Sequence, residues 1–173
     1  MGSLILISGP NGSGKSAYAE FLASRAGGSL FYIATMLPRT EENLARIEAH
    51  RKRRAPLGFR TVELPRGIKA APVSSEGVVL LEDISNLLAN ELFEGGGTAD
   101  SALRDVLALL ERCRLLIAVT ISGLRAEEAD GETAAYINDL NSINGRLFEL
   151  ADAAVSMRDG IAYYTKGNPH DLL

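Results

Sequence analysis

Residues 9–16, Gly9-Pro10-Asn11-Gly12-Ser13-Gly14-Lys15-Ser16, fit the spacing G-x-x-x-x-G-K-[ST] directly after the apolar run Leu4-Ile5-Leu6-Ile7. A short buried strand, a glycine-rich turn and the start of a helix are what a phosphate-binding loop requires. Gly9, Gly12 and Gly14 can take backbone angles closed to other residues, so successive N–H groups can converge on one anion. The following helix adds its positive N-terminal end at the same place. In such a loop Lys15 reaches the outer phosphates of a nucleoside triphosphate and the Ser16 hydroxyl holds Mg²⁺. The rival reading, a glycine-rich strand–helix turn that binds nothing, leaves the Lys15-Ser16 pair without a purpose. The sequence predicts a chain that binds a nucleoside triphosphate.

Triphosphate chemistry also needs an acid at the end of a second buried strand, to hold Mg²⁺ through water. Val78-Val79-Leu80-Leu81-Glu82-Asp83 supplies it, with Glu82 favoured because it ends the strand. The plainer reading of these acids is a cap on the next helix. His50, one of only two histidines, stands in Arg46-Ile47-Glu48-Ala49-His50-Arg51-Lys52-Arg53-Arg54. On a helix, Arg46 and Arg54 lie one turn either side of it and Arg53 lies beside them. Those cations repel an added proton, so the imidazole stays neutral and nucleophilic, and they could hold a triphosphate against it. The alternative is a histidine on a basic, solvated helix face. His170, three residues from the C-terminus, is expected to be unstructured.

Strand and helix patterns alternate along the chain, the sign of βαβ units around a parallel sheet. Strands are predicted at Leu4–Ser8, Leu30–Ala34, Arg60–Glu63, Gly77–Leu81 and Leu115–Thr120. Helices are predicted at Lys15–Arg25, Glu41–Arg54, Ile84–Leu92, Ala99–Arg112 and Glu132–Leu150. A hairpin of Ala153–Met157 and Ile161–Thr165 about Asp159-Gly160 ends the pattern. The 173 residues, 46% of them hydrophobic, suffice for one full core and not for two, so residues 1–173 read as one domain. The expected fold is a three-layer α/β P-loop domain of RecA-like type, with a mostly parallel sheet and a C-terminal hairpin.

The net charge of −4 gives no general pull towards nucleic acid, and no basic groove rich in aromatics is visible. Cys113 is the single cysteine, so no intrachain disulfide can form and a reducing compartment is expected. No apolar stretch approaches the roughly 20 residues of a membrane span. The N-terminal apolar run is short for a signal peptide and lacks a basic start. A cytoplasmic protein is expected.

The first half follows a more specific order. After the loop come Tyr32-Ile33-Ala34-Thr35, Glu42-x-x-x-Arg46-Ile47-x-x-His50, Phe59-Arg60-Thr61-Val62-Glu63, then Leu81-Glu82 and Asn90. From about Leu4 to Phe93 the chain resembles the bifunctional adenosylcobinamide kinase / adenosylcobinamide-phosphate guanylyltransferase family of cobalamin assembly. The resemblance implies phosphorylation of adenosylcobinamide by ATP or GTP, with Mg²⁺ at Ser16 and Glu82. It also implies GMP transfer from GTP to adenosylcobinamide phosphate through a guanylyl-histidine at His50. Arg46, Arg53 and Arg54 become candidates for the leaving pyrophosphate. Glu63 and Asn90 match family positions, either in binding or in fixing loop and helix. A homotrimer is implied, with a corrinoid and nucleotides as partners.

The second half departs from that pattern. Thr120 is followed by Ile121-Ser122-Gly123-Leu124-Arg125, where the family has Thr-Asn-Glu-Val-Gly and a glycine-isoleucine-valine-proline segment. Of the family's later Arg-Asp…Gly-Arg-Val-Asn only Asn144 is kept, and Phe59 stands for a tryptophan. These departures fall where corrinoid or guanine contacts would be expected. Two other functions fit a phosphate loop: a small-molecule kinase with His50 a bystander, and a nucleotide-dependent switch. The switch lacks an Asn-Lys-x-Asp string, since Thr165-Lys166-Gly167-Asn168 does not fit it.

Overall fold

The computed structural model describes residues 1–173. Strands β1 (Ser3–Gly9), β4 (Val78–Glu82) and β5 (Leu115–Ile121) are apolar almost throughout because both of their faces are covered. Alternate residues enter two cores. Leu4, Leu6, Val79, Leu81, Leu116 and Ala118 face one; Ile5, Ile7, Val78, Leu80, Leu115, Ile117 and Val119 face the other. With β2 (Leu30–Ala34), β3 (Arg60–Glu63), β6 (Ala153–Arg158) and β7 (Ile161–Lys166) they form one seven-stranded sheet in the order β3-β2-β4-β5-β1-β6-β7. Every neighbouring pair is parallel except the β6–β7 hairpin.

Helix α1 (Lys15–Ala26) covers one face through Ala19, Leu22 and Ala23. Helices α3 (Ile84–Phe93), α4 (Ala99–Leu110) and α5 (Gly131–Leu150) cover the other, giving three layers. The elements match the sequence reading to within one or two residues at most ends. Helix α2 (Glu41–Arg54) differs in kind: of its 14 residues only Arg54 is buried. Thr40 caps it by accepting from the Asn43 amide at 3.0 Å, and acids at its start and bases at its end suit the helix dipole. None of the helices is long and apolar enough to cross a membrane.

His170 departs from expectation. It lies in an ordered 3₁₀ turn, Pro169–Leu172, with its Nε2 2.9 Å from the Tyr164 hydroxyl and its ring edge-on to Phe21. The turn is anchored by buried Pro169 and by Leu172 and Leu173, which pack on the α1 side of the core. Apolar contact thus orders an end that its position alone would leave loose.

Parallel register brings the carboxyl ends of β1, β4 and β2 to one edge, where Gly9 pairs with Ile121, Glu82 with Val119 and Ala34 with Glu82. Open α/β sheets bind ligands at that edge, where the strand order reverses. Asn90 secures it from below, donating from Nδ2 to the Thr35 carbonyl at 2.8 Å and the Pro65 carbonyl at 3.0 Å. This favours the fixing role for Asn90. Asn90→Ala, by leaving these two acceptors unpaired, should cost about 1–3 kcal/mol in urea unfolding, and an unchanged midpoint would contradict it.

Candidate functional site

The Gly9–Ser16 segment leaves β1, turns, and enters α1 at Lys15. Gly12 and Gly14 hold φ values of 73° and 91°, left-handed conformations that side chains disfavour. Gly14 is the N-cap of α1 and no side chain caps the helix, so its first amides face the concavity lined by Asn11 to Ala17. An added Cβ at Gly14 would meet Gly160 of the hairpin turn at 3.4 Å, and the Gly160 amide donates to the Ser13 carbonyl at 3.0 Å. The hairpin therefore braces the loop. Lys15 is buried and folds over the loop, its Nζ donating to the Pro10 carbonyl at 2.7 Å. Burial pulls the Lys15 ammonium below its ordinary range, against the attraction of Asp83 and Glu82.

Glu82 ends β4 and Asp83 follows it, and the two have different surroundings. The Ser16 hydroxyl donates to Glu82 Oε1, while Glu82 Oε2 is buried without a partner. Burial pushes the Glu82 carboxyl up to about 7, with the Ser16 hydroxyl opposing. Asp83 is the N-cap of α3: its Oδ1 accepts from the Asn86 amide at 2.7 Å and the Ser85 hydroxyl at 2.6 Å. The capping reading thus applies to Asp83, while Glu82 ends β4 and caps nothing. Thr35, the last residue of the Tyr32-Ile33-Ala34-Thr35 motif, to which the sequence assigned no role, ties them together. Its hydroxyl bonds to the Glu82 and Asp83 carbonyls at 3.0 and 2.9 Å and to the Asp83 amide at 2.8 Å.

Helix α2 brings His50 and Arg46 to the phosphate-loop concavity, a volume of about 360 Å³ also lined by Lys15, Ser16, Arg53, Glu82 and Asp83. The same His50, Arg46, Glu82 and Asp83 line a second cavity of about 210 Å³. Its remaining wall is largely apolar, with Tyr32, Met36, Leu37, Pro38, Leu44 and Ile47, and Arg54 and Glu63 at its margin. His50 stands where the two meet. Burial, then the guanidinium groups of Arg53, Arg54 and Arg46, push its imidazole down to about 4. The solvated-face alternative does not describe it, since His50 is half-buried against two cavities.

The three arginines differ. Arg53 pairs with Glu20, itself only 2% exposed, through Nε at 2.5 Å and Nη2 at 3.0 Å. Arg54 is buried with its guanidinium 3.4 Å from the Tyr32 ring centroid. Arg46 has neither kind of partner in the structure and faces both cavities. Glu63 pairs with Arg51 at an exposed position. Glu20 had one sequence signal, an acid among the residues that α1 turns inwards beside Ala19, Leu22 and Ala23.

A mostly parallel sheet between helices, with a phosphate loop on its first strand and an acid at the end of β4, defines a P-loop nucleotide-binding protein of RecA-like fold. The chain belongs to the cobinamide kinase / cobinamide phosphate guanyltransferase family, whose pattern matches residues 5–164. It is a transferase of cobalamin biosynthesis. The match runs well past Phe93 and takes in the segments after Thr120. No curated protein gave a significant sequence match.

Among solved structures, a protein from Pyrococcus horikoshii OT3 aligns with a TM-score of 0.56 at 10% identity, covering 95% of this chain and 86% of that one. An ATPase of the type III secretion system of pathogenic bacteria gives 0.51 at 10% identity, covering 95% and 57%. A DnaB-like replicative helicase gives 0.50 at 10% identity, covering 89% and 46%. This chain therefore spans about half the length of the latter two, and at such identity the likeness concerns the fold.

The His50 environment can be measured in the free protein. NMR titration of the His50 ring should give a midpoint near pH 4, so that the neutral form dominates across the range where a free imidazole would protonate. Arg46→Ala should move the midpoint upwards by removing a repelling charge. A midpoint at the ordinary 6.5 would mean that α2 does not hold His50 in this setting.

Proposed function

We propose that this chain phosphorylates adenosylcobinamide with ATP or GTP and transfers GMP from GTP to adenosylcobinamide phosphate through a guanylyl-histidine at His50. The observation that carries this reading is the position of His50, shared between the phosphate-loop concavity and the adjoining cavity. A kinase in which His50 is a bystander has no use for a neutral imidazole at that junction.

In the kinase step the loop amides and Lys15 hold the triphosphate. The aminopropanol hydroxyl attacks the terminal phosphorus, its proton passes to an oxygen of the transferred phosphoryl group, the bond to the bridging oxygen breaks, and the nucleoside diphosphate leaves. Lys15 would leave the Pro10 carbonyl for the phosphates, and its charge there favours the developing negative charge. Mg²⁺ fits the Ser16–Glu82 pair: the two side chains meet, and Glu82 Oε2 is buried and unpaired. Bound there, it would neutralise phosphate charge.

In the transfer step the neutral His50 ring nitrogen attacks the α-phosphorus of GTP and the phosphoanhydride bond to pyrophosphate breaks. A phosphate oxygen of adenosylcobinamide phosphate then displaces the histidine, and the P–N bond breaks to restore His50. Two in-line displacements replace one difficult transfer. Arg46 is the cation best placed for the leaving pyrophosphate; Arg53 adds its field from beside Glu20, and Arg54 acts mainly by fixing the end of α2. Glu63 orients the same region through Arg51.

GTP labelled on its α-phosphate should leave label on the protein, stable to base and lost in acid. His50→Ala should lose this label and the guanylyl transfer while keeping phosphorylation of adenosylcobinamide, because the loop is untouched. Unlabelled wild type with kinase activity would leave a kinase alone; label persisting in His50→Ala would place the nucleophile elsewhere.

Lys15→Ala should abolish triphosphate turnover with the fold intact by circular dichroism. Glu82→Gln should lower Mg²⁺-dependent turnover more than nucleotide binding. Asp83→Asn, which can still cap α3, should matter less. Normal turnover by Lys15→Ala would overturn the loop assignment, and the reverse ranking of the two acids would overturn the metal position.

A further inference from the structure

Glu20 is a carboxylate where the packing of α1 asks for none. It lies on the covered side of the helix with Ala19, Leu22 and Ala23, and is 2% exposed. Taking its charge out of water is costly unless a well-placed cation repays it. An alanine or a leucine would cover the sheet as well. The cation is Arg53 of α2, which meets both carboxylate oxygens, Nε donating to Oε2 at 2.5 Å and Nη2 to Oε1 at 3.0 Å. Glu20 lines neither the phosphate concavity nor the apolar cavity, so its purpose is not contact with a substrate in either.

Of the three arginine anchors of α2, this one alone leads to the helix that the phosphate loop opens. Arg54 lies over Tyr32 of β2, and Arg51 pairs with Glu63 of β3, where both side chains are more than half exposed and screened by water. Helix periodicity lines the remaining elements up. Ser16 and Glu20 are one turn apart on one face of α1, and His50 and Arg53 are one turn apart on one face of α2. The Glu20–Arg53 contact is therefore a rung one turn from the concavity that Ser16 and His50 both line. A planar guanidinium held at two points resists sliding and rotation, which a ring-face contact such as Arg54 on Tyr32 permits. Resting on the guanylyl transfer proposed above, we infer that Glu20 is a positioning residue for that step: through Arg53 it sets the place of His50 against the phosphate loop. Phosphoryl transfer uses the loop, Lys15, Ser16 and Glu82, and does not depend on Glu20.

The test compares Glu20→Ala and the near-isosteric Glu20→Gln with wild type, and melting curves check the fold. Protein labelling by saturating α-labelled GTP, followed in a single turnover, should slow about a hundredfold in Glu20→Ala, the loss expected for a displacement of about 1 Å at the reacting atoms. Glu20→Gln keeps one acceptor for Arg53 and should slow labelling less, by about tenfold. Phosphorylation of adenosylcobinamide should stay within about threefold of wild type in both. The NMR midpoint of His50 should rise from about 4 towards 6.5 in Glu20→Ala, since a released α2 loses burial and the Arg53 guanidinium together. A role in stability alone would move neither that midpoint nor the ratio of the two reactions. Wild-type labelling in both variants, or an equal fall in labelling and phosphorylation, would overturn the inference. So would a His50 midpoint that stays near 4 in Glu20→Ala. Should Glu20→Ala not fold, Glu20→Gln carries the same comparisons. If wild type takes no label, the guanylyl-histidine reading fails, and the midpoint still decides whether Glu20 holds His50 in place.

Discussion

A carboxylate buried against a phosphate loop is the constraint around which this site is arranged. Glu82 ends a strand covered on both faces, so its side chain leaves the apolar core with almost no exposure. Its charge can be kept there only by compensation, and the compensation is partial: one oxygen takes the Ser16 hydroxyl and the other has no partner. A buried carboxyl with one unpartnered oxygen, beside a lysine and an uncapped helix start, favours whatever brings positive charge. The geometry that makes the site expensive in the free protein is the geometry that makes it receptive to a cation-accompanied phosphate. β5 separates β1 from β4, so the Ser16–Glu82 contact depends on parallel register across three strands. The apolar core sets that register, because a slip by one residue would turn each strand's core-facing residues to the wrong side.

Helix α2 is held differently from the rest. The core grips α1 and α3 to α5 through apolar faces, whereas α2 contributes one buried residue. Its attachment lies at its C-terminal end, in Arg53 on Glu20, Arg54 over Tyr32, and Arg51 on Glu63. Directional contacts of this kind fix orientation with little burial, and they place His50 next to its anchors. The cost of the Arg53–Glu20 pair is the desolvation of Glu20, which repays only because the guanidinium meets both carboxylate oxygens.

Much of this was legible in the sequence. The loop could be read because glycine spacing, Lys15 and Ser16 are adjacent in the chain, and β4 because four apolar residues run into two acids. The strand end at Glu82 followed from burial pattern alone. What sequence could not show were the pairings between distant residues. Glu20 finds Arg53 across 33 positions, Thr35 stitches Glu82 and Asp83 from 47 and 48 positions away, and Asn144 reaches across 23 to the end of β5. The apolar cavity was equally hidden, since Met36, Leu37 and Pro38 lie on a connecting segment with no periodicity to mark them. His170 misled because nearness to a terminus says nothing of the aromatic surface that α1 and β7 offer it.

In the guanylyl transfer proposed for His50, the cations around it serve two ends that would otherwise conflict. A nucleophilic imidazole must be neutral, which asks for positive neighbours; a strong nucleophile must also be basic, which the same neighbours oppose. Arrival of a triphosphate changes that balance. Its negative charge offsets Arg46 and Arg53, the repulsion on the ring falls, and basicity returns while the ring is within reach of phosphorus. In the free protein the imidazole is kept unprotonated by burial and by the neighbouring guanidinium groups; in the complex burial still disfavours protonation while the weaker repulsion returns electron density to the ring. On the proposed role of His50, a place on a cationic helix makes the reactivity of the ring respond to the substrate, and it gives the arginines of a helix so little buried a common purpose.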